Sequence, residues 1–289
     1  MDFANLLEPM VKSSILVEYD SHPAVRSPIG ASKIGGQPDL PAGFEWPYFE
    51  GAAYDGVTAN RPLSFLAQIN CKEASMHDKD SLLPSEGMLY FFYELTTITW
   101  GFGHEEKNSS RVYYFKGSTS DLDRADLPED LSPECRIPEM PITFSSRIEL
   151  PDFEEFMALH DDGDRRQWPR IYREQVYKYD EARDSMAPTP DSRYISKLLG
   201  YANLVQDEML LQCELVSGGN ELGSDGYTIA TPQQRHDCTR WQLLFQIDSI
   251  DTDGYELLWY GSGRLYFYID RNDLKAMDFN RCMHILQST

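Results

Sequence analysis

Three short motifs recur in the same order toward the two ends of this 289-residue chain, and the fold has to accommodate both sets. The first set runs Lys33-Ile34-Gly35-Gly36, then Leu66-Ala67-Gln68-Ile69-Asn70, then Gly87-Met88-Leu89-Tyr90-Phe91. The second runs Lys197-Leu198-Leu199-Gly200, then Leu244-Phe245-Gln246-Ile247-Asp248, then Gly263-Arg264-Leu265-Tyr266-Phe267. Residues 33–94 are thus echoed by 197–270, which predicts an internal duplication. The longer motifs are rich in aliphatic and aromatic residues and read as strands. The expectation is an α+β fold: two related, mostly antiparallel β-rich halves with helices, packed as one globular unit. The approximate halves are 1–186 and 191–289 within a single domain.

Between the motifs the pattern predicts further elements. Apolar positions Phe3, Leu6, Leu7, Met10 and Val11 keep a helical period over residues 1–14, and 13–19 then reads as a strand. Residues 27–47 form a loop dense in Gly and Pro, long enough to be functional or packed on itself. Strands follow at 63–70 and 88–95, the latter apolar enough to be buried on both faces and extendable through Thr96 to Trp100. Another strand covers 111–115, an acidic, proline-bearing surface excursion covers 118–140, and a strand covers 142–150. A helix opens at Pro151-Asp152, where Glu154 and Glu155 suit the helix dipole, and a charged helix spans 168–182. Ala187-Pro188-Thr189-Pro190-Asp191 reads as the join between halves. Beyond it lie a segment at 207–216, strands at 242–249 and 264–269, a helix at 270–277 and a last strand at 281–287.

Charge narrows the range of partners. Lys and Arg number 26 against 47 Asp and Glu, a formal net charge of −21. Nucleic acid and anionic lipid are bound by cations that neutralise phosphates, so neither is expected as a partner. A basic protein would be steered toward such a surface, although solubility alone explains it more simply. No apolar run approaches the roughly 20 residues of a membrane span, and Met1-Asp2-Phe3-Ala4-Asn5 lacks a signal peptide's basic start. A cytoplasmic location is the expectation. Five scattered cysteines without a Cys-x-x-Cys pair predict reduced, buried thiols rather than disulfides or structural zinc.

Candidate chemistry is sparse. Gly35-Gly36 permits positive φ, and its amides with Lys33 would suit an anion, yet the spacing matches no P-loop or dinucleotide fingerprint. A tight structural turn is the simpler reading. Gln68 and Asn70 share one strand face, as do Gln246 and Asp248. Four polar side chains converging between two halves would line a ligand site. Bonding to loop backbone is the simpler role for them. Asp251-Thr252-Asp253-Gly254 fails as a calcium loop, because Tyr260 stands where the bidentate Glu belongs, and reads as a hairpin turn. His104 and His236 form no metal motif, and Gly261-Ser262-Gly263 is not a nucleophile elbow. Trp46, Trp100, Trp241 and Trp259 suit core packing better than a stacking surface. No catalytic signature, cofactor motif or metal set emerges.

The spaced motifs Ser32-Lys33-Ile34-Gly35-Gly36-x-Pro38-x-Leu40-Pro41, Trp46-Pro47, Pro62-Leu63-x-Phe65-Leu66-Ala67-Gln68-Ile69-Asn70 and Leu83-Pro84-x-x-Gly87-x-Leu89-x-Phe91-Phe92 resemble the YwqG-like family, a bacterial domain of unknown function. Leu199-Gly200-Tyr201, Leu244-Phe245-Gln246-Ile247-Asp248-Ser249 and Gly263-Arg264-Leu265-Tyr266-Phe267 extend the likeness over nearly the whole chain. Two positions depart from it: Ala202 replaces a frequent proline, and Tyr260-Gly261 replaces a usual Gly-Asp. The resemblance implies a duplicated α+β fold, no established activity, and a toxin-neutralising or other protein-binding role. The leading expectation is therefore non-enzymatic binding of a basic protein. The runner-up is a small-molecule site, enzymatic or not, between the halves, built from Lys33, Gly35, Gly36, Gln68, Asn70, Gln246 and Asp248. A scaffold subunit without a pocket is the third.

Overall fold

Strand-forming runs along this chain carry apolar side chains on both faces, so a sheet built from them has to be covered on both sides. The computed structural model describes residues 2–52, 56–160, 168–188, 195–220, 222 and 230–289. Ten strands make one sheet: β1 (Lys12–Tyr19), β2 (Lys33–Ile34), β3 (Ser64–Asn70), β4 (Met88–Tyr93), β5 (Ser110–Phe115), β6 (Met140–Glu149), β7 (Ser196–Leu199), β8 (Trp241–Asp248), β9 (Arg264–Asp270) and β10 (Met283–Gln287). Their order is β10-β9-β8-β7-β1-β6-β2-β3-β4-β5, with every pair antiparallel.

The β1–β6 pair, in register from Lys12–Glu149 to Tyr19–Ile142, is the centre. β2 to β5 extend the sheet from β6, and β7 to β10 extend it from β1. Strands far apart in this order still touch: Phe91 on β4 lies 4.6 Å from Phe245 on β8 and 5.2 Å from Phe267 on β9, centroid to centroid. Only a curled sheet permits that. The two edge strands then come close, with Ser110 on β5 3.0 Å from the His284 ring on β10. The sheet is nearly closed.

Alternation along each strand divides the packing. Ala67, Ile69, Leu89, Phe91, Val112, Phe245, Ile247, Leu265 and Phe267 share the core enclosed by the sheet. Phe65, Met88, Tyr90 and Phe92 face outward, covered by Leu40, Phe49 and Leu122. On the other flank Trp241, Leu243, Tyr266 and Tyr268 face outward under the helix Leu210–Ser217. This double covering explains why β4 and β8 are buried along their whole lengths. Register shifts at Leu66 and Leu244 place an irregularity at the matching point of β3 and β8. A separate cluster joins the helices Phe3–Leu7, Phe153–Leu159 and Trp168–Met186 through Phe3, Phe156 and Tyr179.

Four expectations change. The first helix stops at Leu7 and gives way to a 3-10 turn, Glu8–Met10, because Pro9 has no amide to continue it. Thr96 to Trp100 turn away from β4 instead of extending it. The excursion at 118–140 is not simply surface: Leu122, Leu131, Cys135 and Ile137 are buried, and Leu122–Arg124 pairs with Asp39–Pro41. The charged helix runs to Met186, and residues 189–191 of the expected join lie outside the described residues. All five cysteines are free thiols, four of them buried. Among the described residues no helix is long and apolar enough to cross a membrane.

Candidate functional site

The residues singled out by sequence fall into two closed hydrogen-bond networks. Lys33 is fully buried; its Nζ donates to the Gln37 carbonyl (2.6 Å) and to Glu139 (3.2 Å), and Asp39 lies 3.7 Å away. Burial lowers the Lys33 pKa, and the Asp39 and Glu139 carboxylates work against that shift. Desolvation pushes Asp39 up, but hydrogen bonds from Arg124, Gln68 and the Gly30 amide outweigh it and hold the carboxyl below its ordinary value. Gln68 donates to the Ala31 carbonyl (2.7 Å) and to Asp39 Oδ2 (2.7 Å), and accepts from the Asp39 amide (2.8 Å). Asn70 caps the short helix Cys71–Ser75 by accepting from Lys72 N–H, and donates to the Gly30 carbonyl.

The other flank is arranged alike. Lys197 Nζ donates to both Glu149 oxygens, at 2.9 and 2.8 Å. Gln246 donates to the Ile195 carbonyl (2.6 Å) and accepts from the Asn203 amide (2.9 Å). Asp248 accepts from the Ile195 amide (2.8 Å) and from Arg264 Nε (2.6 Å). Tyr90 donates to the Asp39 carbonyl on the first flank, and Tyr266 donates to the Asn203 carbonyl on the second.

These residues do not meet in one site. The structure joins Gln68 with Lys33 and Asn70, and Gln246 with Asp248, but the two glutamines point out of the sheet on different flanks, Gln68 beside Tyr90 and Gln246 beside Tyr266, in networks that share no partner. A convergent pocket between halves built from those four side chains is therefore absent from the described residues. At Gly35 and Gly36 the backbone is spent within the fold. Both have positive φ (59° and 70°), yet the Gly35 amide donates to the Leu66 carbonyl and the Gly36 amide to the Ile137 carbonyl, each at 2.8 Å. Those donors are already used.

Open hollows lie beside both networks, one lined by Gly36, Gln37 and Glu139 and another by Glu149, Lys197 and Asn203, but a more enclosed concavity lies at the seam where the sheet nearly closes. A cleft of about 320 Å³ opens between β5 and β10, within the size range of ligand sites. Its lining includes Val112, Val216, Trp241 and Phe279, with Lys107, Arg111 and Arg281 as its cations. Lys107 and Arg111 are exposed and, among the described residues, in no ion pair; Arg281 stands 3.7 Å from Asp273. The lining carboxylate, Glu106, already accepts from the Gly101 (2.6 Å) and Phe102 (2.9 Å) amides. These cations come from separate segments with no motif of their own, so sequence reasoning passed over them. Only their assembly at the seam identifies them.

His284 and Ser110 also line this cleft. Ser110 Oγ lies 3.0 Å from His284 Nδ1, while Nε2 faces the Thr99 and Ser109 hydroxyls at 3.2 and 3.4 Å. Burial pushes the His284 pKa down to about 4, so the ring is neutral near pH 7. A hydrolytic triad needs a base of pKa near the working pH and a carboxylate to orient it. Hydroxyls occupy that position here, and the group reads as a clasp between the two sheet edges. Burial, with Asp273 and Asp278 nearby, also pushes the Cys282 thiol well up, away from a nucleophilic thiolate. Among the described residues no group of three His, Cys, Asp or Glu could hold a metal ion. The His104 side chain lies outside the described residues.

A comparison with curated proteins found no match. The model of a family described as a domain of unknown function, DUF1963, matches residues 32–288. That span opens at the residue before β2 and ends just past β10, leaving only β1 of the sheet strands outside it. The chain belongs to the DUF1963 family, a domain of unknown function.

Proposed function

We propose that this protein is a non-enzymatic binding domain and that its ligand is an anion held in the seam cleft. One observation carries the reading: Lys107, Arg111 and Arg281 gather at a single concavity in a chain of net charge −21. Like charges around a low-dielectric cleft focus the field there, while the surrounding acidic surface repels the same anion. Glu106, held in place by backbone amides, offsets one cation, and Asp273 stands against Arg281, so Lys107 and Arg111 carry the attraction. The test is a titration of phosphate, citrate and acidic peptides into wild type and into a Lys107→Glu/Arg111→Glu double variant. Saturable binding that the double variant loses supports the reading. Binding that the reversal leaves intact, or none with any anion, overturns it.

The net charge itself favours a second reading, in which exposed carboxylates receive a basic protein, a toxin among the candidates. Such an association forms quickly at low salt and weakens as screening shortens to about 3 Å near 1 M. Capture of a basic protein near 0.15 M salt and its release near 1 M would support it. Equal capture at both would count against it.

We infer, further, that the chain is a YwqG-like member of its family and that its two halves, 1–186 and 191–289, arose by duplication. The matched networks around Gln68 and Gln246 support this, as do the matched irregularities at Leu66 and Leu244. Superposing β2–β5 on β7–β10 tests it. Gln68 should fall on Gln246, and an overlay that needs a different strand order would refute a common origin.

A further inference from the structure

We propose that the seam cleft takes an extended acidic peptide segment, which pairs by its backbone with the free edge of β5. This rests on the anion-binding reading above and names the ligand class.

Hydrogen-bond parity along the two edges carries the inference. The Glu94 amide donates to the Ser109 carbonyl at 2.8 Å, so that carbonyl faces β4, while the Ser109 amide closes a turn on the Glu106 carbonyl. Antiparallel partners alternate, so Ser110, Val112 and Tyr114 direct theirs away from β4, into the seam. On the opposite edge the Leu286 amide donates to the Trp100 carbonyl at 3.1 Å, so this part of β10 is already paired. Among the described residues no backbone hydrogen bond reaches Val112 or Tyr114 from the seam side. An open row of backbone donors and acceptors beside a cleft is the arrangement used for strand addition.

Side-chain alternation then selects the sequence of the guest. Arg111 is exposed on the rim, whereas Val112 is buried in the enclosed core. A paired segment would turn every second side chain toward Arg111, Lys107 and Arg281, and the others toward the apolar lining that includes Val112 and Phe279. Acidic residues alternating with small apolar ones satisfy both. Charged side chains also protect bare strand edges from unwanted pairing, and the experiment distinguishes such a guard from a receptor.

The probes are end-blocked octapeptides, (Glu-Val)4 and (Lys-Val)4, with two further forms of (Glu-Val)4 N-methylated at every Glu or at every Val. Binding is read by fluorescence anisotropy against wild type and the Lys107→Glu/Arg111→Glu variant. The expected result is that (Glu-Val)4 binds and (Lys-Val)4 does not. One N-methylated register should weaken about tenfold or more, as the loss of two or more hydrogen bonds would produce. The charge-reversed variant should lose every acidic peptide. Equal binding of all three acidic peptides would overturn strand pairing and leave the anion cleft standing. Binding of citrate or phosphate without (Glu-Val)4 would overturn the peptide class alone. No binding of any anion would mean an edge merely guarded by charge, and both readings would fall.

Discussion

Gln68 and Gln246 fasten two different loops with the same bonds. Each accepts from the amide of the residue six places after a buried lysine, Asp39 after Lys33 and Asn203 after Lys197. Each donates to the carbonyl two places before that lysine, Ala31 and Ile195. The register agrees, since Lys33 is paired with Gln68 and Lys197 with Gln246. Removing either amide strands one buried backbone group, the Asp39 amide or the Ile195 carbonyl, at about 1–3 kcal/mol, and one half-buried group at less. Gln68→Ala and Gln246→Ala should each cost roughly 2–4 kcal/mol of stability. Because the two networks share no partner, the double variant should equal the sum within about 0.5 kcal/mol. Urea unfolding of the three variants checks this, and a strong coupling between them would contradict two independent loop anchors.

Gly35 tests the turn by a different route. A Cβ there would stand 2.3 Å from the Pro138 carbonyl oxygen, on a backbone with φ of 59°. Gly43 has a similar φ of 76°, but a Cβ added to it would meet nothing within 4 Å. The left-handed conformation costs roughly 1–2 kcal/mol in both cases, and only Gly35 adds the clash. Gly35→Ala should therefore lower the thermal midpoint clearly more than Gly43→Ala. Equal losses would show that φ alone matters and that the close approach to Pro138 relaxes freely.

His284 gives the fold an acid sensitivity. Its folded pKa of about 4 lies below the ordinary histidine value of 6.5. Above pH 6.5 neither state takes up the proton, so the neutral clasp has its full stability. As the pH falls toward 4 the unfolded chain is protonated first, and stability is lost, by roughly 3 kcal/mol in the limit. Unfolding midpoints should drop between pH 6.5 and 4 in wild type and change much less in His284→Gln, which keeps a polar group beside Ser110. Parallel pH profiles for the two proteins would place the sensitivity elsewhere.

The main strands were legible because their signals are local. Gly87-x-Leu-Tyr-Phe and Gly263-x-Leu-Tyr-Phe lead into β4 and β9, and the Leu-x-Gln-Ile runs lie in β3 and β8. Thr96 to Trp100 misled for a physical reason. Their β-branched residues favour a strand, but Glu94 accepts from the Thr96 and Thr97 amides at 3.1 and 2.8 Å, and Ile98 adopts a φ of 51°. That turn carries the chain across to the β10 edge, where the Trp100 carbonyl meets Leu286. The candidate site was illegible because it has no contiguous signature. Lys107, Arg111 and Arg281 acquire meaning only when curling brings β5 to β10. The glutamines were readable as a pair, but their partners Asp39 and Asn203 depend on how the loops fold back.

Glu155 is a carboxyl whose charged form this fold disfavours. It sits in the helix Phe153–Leu159 at 4% exposure, and its Oε2 has no hydrogen-bond partner among the described residues. Burial raises its pKa to about 8, Lys12 opposes the rise, and Asp152 and Glu208 add to it. A carboxyl raised in the fold contributes its stability below the unfolded value and loses it as the pH climbs toward the folded one. Glu155→Gln keeps the shape without the charge, so it should be close to neutral near pH 5. At pH 8 it should stabilise by about 1–3 kcal/mol, the usual penalty for a buried unsatisfied group. Lys12 sets the counter-argument: its amino group lies 3.9 Å above the Tyr201 ring, burial lowers its pKa to about 8, and the substitution removes a carboxylate that favours its charged form. Urea unfolding at both pH values decides between the two effects. A Gln variant less stable than wild type at pH 8 would show that the attraction between Lys12 and Glu155 exceeds what burying the carboxylate costs.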